Sequence, residues 1–127
     1  MEGNDSILDT TKLQVKIDPE DDSYDVELIT HINSIFFILA QLGVGPTTGF
    51  SISGREEKWS EFIGVDQIAA VRTYMGLKVK LIFDPPATGP ATEAMERLAD
   101  EMGVRLNMQM EEVKWRAQQT IFSPNTE

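Results

Sequence analysis

Cysteine is absent from the chain. No disulfide framework and no thiolate metal site can therefore form. Histidine occurs once, as His31, and a general base needs an orienting partner that no nearby pattern supplies. Basic residues are scarce: 11 Lys and Arg stand against 21 Asp and Glu, for a net charge of −10. Such a chain gains nothing from neutralising phosphates, which disfavours binding to DNA or RNA. Long apolar runs are missing too. The longest, Leu28 to Val44, is interrupted by Thr30, His31, Asn33, Ser34 and Gln41. It is too short and too polar to span a bilayer, so no membrane is expected as a partner. The opening MEGNDSILDT has neither a basic nor an apolar segment. No signal peptide is expected there, and the cytoplasm, or something assembled in it, is the expected compartment.

What is present suits one domain: 127 residues with an apolar content of 41%. Nine acidic residues against Lys12 and Lys16 concentrate charge in the first 31 positions. The expected fold is all-α, with about four helices. Ser6 caps a first helix to about Ile17, stopped by Asp18-Pro19. Asp22 or Ser23 caps a second, in which Leu28, Ile29, Ile32, Ile35, Phe36, Leu39 and Leu42 share one arc, and Gly43 ends it. Phe37 falls on the opposite, polar side, where so large an aromatic meets either a loop or a partner.

Residues 43–65 read as a long connection, and the alternation in GFSISG allows a short hairpin. WSEFIG suits one helical turn. Asp66 caps a third helix to about Phe83. Ile68, Val71, Met75, Val79 and Ile82 form one apolar stripe, and Ala70, Tyr74, Leu77 and Leu81 a second. A helix apolar on two sides is buried on two sides, either by the chain's own helices or by another subunit. DPPATGP breaks the chain, and Pro90 opens a fourth helix with Met95, Leu98, Met102 and Leu106 on its apolar stripe. Gly103 interrupts it at a cost of roughly 1 kcal/mol. From Glu111 the pattern fades. The expected organisation is a helical domain over 1–110 and a C-terminal arm over 111–127.

Three patterns bear on chemistry. Glu93, Glu96 and Asp100 lie on one helical face, the arrangement by which all-helical nucleotide pyrophosphohydrolases hold magnesium. That face lies away from the Met95, Leu98, Met102 stripe and has no acidic counterpart, so a solvated face is the simpler explanation. The acidic run Asp18 to Asp25 lacks the glycine and closing glutamate of a calcium loop. The glycines of GVGP have no lysine after them, as a P-loop requires. No catalytic residue, metal or cofactor is expected.

The order of the segments is itself informative. ILDTTKLQVKI is followed by an acidic break, HINSIFFILAQLGVGP, GFSI, WSEFIG, TYMGLKVKLIFDPP and a helix reaching RLNMQ. This order resembles the phage head–tail connector family, over about residues 6–110. The resemblance implies a virion protein of the phage neck, assembled in the host cytoplasm and located at the head–tail junction. It implies a homo-oligomeric ring of copies, usually twelve, docked on the portal protein and extending the DNA channel. It implies as well a head-closure or tail-side neck protein on the other side, and DNA that passes without specific binding. Within that reading, Trp115, Ile121 and Phe122 are the expected portal contacts. Phe37, Tyr74, Leu77 and Leu81 are the expected subunit contacts. Gly103 departs from the stronger helix former expected there. The alternatives are the metal-dependent pyrophosphohydrolase and a regulatory phage protein that binds a host protein.

Overall fold

A computed structural model describes the backbone of residues 5–122 and the side chains of 5–119. It is all-α. Five helices follow one another: α1 (Ile7–Gln14), α2 (Asp25–Gln41), α3 (Trp59–Phe62), α4 (Val65–Phe83) and α5 (Gly89–Phe122). α3 is a single turn, so four helices build the body. No strand occurs among the described residues; one isolated bridge joins Ser6 to Lys58. α4 is central, and α1, α2, α3 and α5 all pack on it.

Local signals explain most boundaries. The Ser6 hydroxyl accepts from the Asp9 amide at 3.2 Å and caps α1. α1 stops at Gln14, three residues before Ile17, because Lys16 turns into the left-handed region at φ 67°. That turn closes with the Ile17 amide donating to the Lys12 carbonyl at 2.8 Å. Gly43, at φ 79°, ends α2 as its glycine predicts. The expected caps Asp22, Ser23 and Asp66 do not cap. Tyr24 and Gly64 hold those positions, and Asp25 is instead drawn inward to Lys12.

The core runs along one side of α4. Val71, Met75 and Val79 meet Ile32, Ile35, Phe36 and Leu39 of α2 and Ile7 and Leu8 of α1. Phe36, Phe50, Trp59 and Phe62 form an aromatic cluster, with Phe36 and Phe62 centroids 4.7 Å apart. Offset and edge contacts of this kind add to the area they bury.

The 43–58 connection is fastened along its length, and the hairpin does not form. The Asn33 side chain accepts from the Ile52 amide at 2.8 Å and donates to the Ile52 carbonyl at 3.0 Å. One amide side chain thus takes both groups that a strand partner would have used. Gly45 sits against Phe62 so closely that a Cβ would overlap the ring, which holds the loop down. The Trp59 indole donates to Thr10 Oγ1 at 2.8 Å, and that hydroxyl donates to the Ser6 carbonyl. Arg55 grips Asp9 with two bonds near 3 Å.

α5 differs from expectation in two respects. Gly103 neither ends nor breaks it, and the predicted stripe is only partly its contact seam: Met95 and Met102 are partly buried and Leu106 is buried, but Leu98 stands outside. Leu98 is exposed, while Ala99 and Leu106 are buried on either side of Gly103. A Cβ on Gly103 would stand 3.3 Å from Tyr74 Cε1. The missing side chain therefore lets α5 lie close to α4, an observation that accounts for a glycine in mid-helix. The chain from Glu111 to Phe122 continues the helix.

Candidate functional site

Among the described residues no cluster carries an evident reaction. His31 stands 3.6 Å from the Glu27 carboxylate, one turn away on the same helix. Glu93, Glu96 and Asp100 are all exposed on α5. No group of three His, Asp or Glu among the described residues is placed to hold a metal ion. The acidic turn is occupied locally. The Asp18 carboxylate accepts from the Glu20 amide and that of Asp21 from the Ser23 amide. The hydrogen bonds from Ser23 hold the Asp21 carboxyl below its ordinary range. Asp25 pairs at 2.7 Å with Lys12, which is wholly buried and also donates to the Pro19 carbonyl. These carboxylates shape the turn and anchor it to α1.

The surfaces are more informative. α5 has 34 residues, about 51 Å at the usual helical rise, against 19 in α4. Its first half lies along α4, and every residue from Glu111 to Gln119 is exposed. One side chain ties it to the end of α2, and a second lies close by. Asn107 donates to the Leu42 carbonyl at 2.8 Å. The Lys114 ammonium lies near Gly43, 3.1 Å from where a Cβ there would stand. Both put donors or positive charge at a helix C-terminus that has no basic residue in its own last turn. Beyond that point α5 carries Trp115, 60% exposed. A shallow depression is lined by Glu111, Glu112, Lys114, Trp115 and Gln118. The side chains of Ile121 and Phe122 lie outside the described residues.

The residues expected at subunit contacts separate. Phe37 projects from α2, 66% exposed. Around it the hydroxyls of Thr30 and Ser34 bond back to the carbonyls of Val26 and Thr30. From Leu28 to Gly54 the sequence contains no Asp, Glu, Lys or Arg. This uncharged, partly apolar face is unusual on a chain so rich in charge. Leu77 and Leu81 are half-buried, and Leu77 lines a groove with Gln14, Thr73, Gly76 and Lys80.

Tyr74 is placed differently: it is 3% exposed and packs against Gly103 of the chain's own α5. Burial, with a smaller contribution from Asp100, raises its phenol pKa. It is covered within the molecule, so Tyr74 is not available to a neighbour. Ala99 and Gly103 leave little trace in the sequence pattern because small residues carry little hydropathy. The signal was present in their four-residue spacing.

No helix among the described residues is long and apolar enough to cross a membrane. No curated protein and no solved structure matches the chain. A family model described as phage connector protein matches residues 7–113, which spans α1 to the projecting part of α5. With the helical body and the exposed α2 and α5 faces, this match shows that the chain belongs to the phage connector protein family.

Proposed function

We propose that this protein is a structural, non-enzymatic component of the phage neck. Copies form a ring at the head–tail junction, docked on the portal protein and extending the DNA channel toward a head-closure or tail-side protein. The observation that carries this reading is the projecting end of α5. A helix that leaves the body and still carries an exposed tryptophan is built to meet another protein. The portal contact is assigned to this C-terminal segment, 111–127, with Trp115, Ile121 and Phe122. Copy-to-copy contact is assigned to Phe37, Leu77 and Leu81. The net charge of −10 suits a channel that DNA must traverse without adhering.

The test is electron microscopy of lysates from a phage with a stop codon in this gene. The expected result is finished heads beside separate, finished tails. Normally joined particles would overturn the proposal. Glu93→Ala with Glu96→Ala is expected to leave joining unchanged, since both carboxylates face solvent.

A further inference from the structure

We infer that the outer face of α2 in one copy packs in parallel against the outer face of α5 in the next. Phe37 then lies on Met108, and Arg97 lies beside the acidic turn before Val26. This deepens the ring reading above and rests on it.

The two faces match in length and charge. On α2, Val26 and Phe37 are 83% and 66% exposed and eleven residues apart. Eleven residues make about three helical turns, so the two point the same way, within about 20°. On α5, Arg97 and Met108 have the same spacing, with Val104 between them on the same line. Val104 and Met108 are 58% and 62% exposed. Parallel alignment sets the two stripes in register over their whole length.

The charges select this pairing and its direction. The middle of the α2 face carries none, so two strongly acidic copies can approach there without repulsion. At its N-terminal end stand Asp18, Glu20, Asp21 and Asp22, all exposed. On α5, Glu101 is held by Arg105 at 2.6 Å. Arg97 takes part in no ion pair among the described residues. An antiparallel arrangement would carry Arg97 away from the acidic turn. Met108 against Phe37 also gives a sulfur–aromatic contact, to which a flexible thioether adapts easily.

The faces differ from one another, so the contact is heterologous and propagates from copy to copy, as a ring requires. In this register Trp115, two turns past Met108 on the same line, falls beyond the end of α2. It stays free for the portal.

The absence of cysteine makes the test direct. Phe37→Cys and Met108→Cys are introduced singly and together. The full-length chain is oxidised both as purified protein at high concentration and on heads isolated from lysates. The double variant is expected to give a ladder of cross-linked multimers, and neither single variant any ladder. Arg97→Glu in the double variant is expected to lower the yield roughly two- to fivefold, the range of an exposed ion pair. Asp22→Arg is expected to restore it.

A double variant that stays uncross-linked in both preparations overturns the inference. Dimers from Phe37→Cys alone also overturn it, since they would mean that like faces meet. If the chain is bound to heads yet forms no ladder, the inference falls and the connector reading stands. If the chain is missing from heads, the connector reading falls, and the purified protein still decides the contact between copies.

Discussion

α1 and α5 hold their places by opposite means. α1 has eight residues, and six of them, Ile7 to Lys12, are buried. A helix so short is unstable alone, because the cost of nucleation is spread over too few hydrogen bonds. It exists because the 55–59 segment grips it: Arg55 on Asp9, the Glu57 carbonyl on the Ile7 amide, and Trp59 on Thr10. α5 has 34 residues, and its last part touches little. It stands on length and on ion pairs one turn apart, Glu101–Arg105 and Glu112–Arg116. The short helix is a product of tertiary structure and belongs to the core. The long one is anchored on α4 by its first half, and its far end projects from the body.

Substitutions can break this contrast. Trp59→Ala removes a fully buried indole and its bond to Thr10, and is expected to cost about 3–5 kcal/mol. Thermal unfolding followed by circular dichroism should show a much lower midpoint, or no cooperative transition. At the buried end of α5, Gly103→Leu forces a side chain against Tyr74 and is expected to cost about 1–3 kcal/mol in urea denaturation. Unchanged stability there would mean that α5 does not press on α4 as described.

Tyr74 gives the same contact a pH signature. Its folded pKa is raised above the ordinary 10.0, chiefly by burial. The neutral phenol is favoured in the folded state, so its contribution is complete below about pH 10 and is lost as pH rises through the raised value. Melting temperatures above pH 10 should fall more for the native chain than for Tyr74→Phe. Equal losses would dismiss the effect.

On the free part of α5 the expected effects on stability are small. Trp115→Ala should stay within about 0.5 kcal/mol of the native chain. Truncation after Glu112 should abolish attachment to the portal, measured by co-sedimentation with heads. Attachment that survives truncation removes the portal assignment of this segment. Glu101→Ala should cost least, about 0.3–0.5 kcal/mol, and only at low salt.

Much of this was legible beforehand, where a residue type has one dominant physical meaning. The apolar arc of α2 marked the core, Ser6 and Gly43 marked helix ends, and Phe37 marked an exposed aromatic. Leu98 was misplaced and Ala99 and Gly103 overlooked, because a stripe drawn from large side chains cannot see a contact made by small ones. Tyr74 looked like one more apolar residue on a second face. Only the approach of α5, which Gly103 permits, shows that the chain covers Tyr74 itself. The 111–119 stretch carried no clear stripe, since side chains that stay exposed need none.

Composition and local pattern by themselves determined that this is an acidic, cysteine-free, all-helical chain with an uncharged central segment. These follow from side-chain chemistry and from periods of three and four, which act along the chain. Tertiary structure alone decided that a lysine sits in the core beside Asp25, that the 43–58 loop is pinned by Asn33, and that α5 outruns the body. The first two depend on groups 13 and 19 residues apart meeting in space, and the third on where the body ends, which no local pattern encodes.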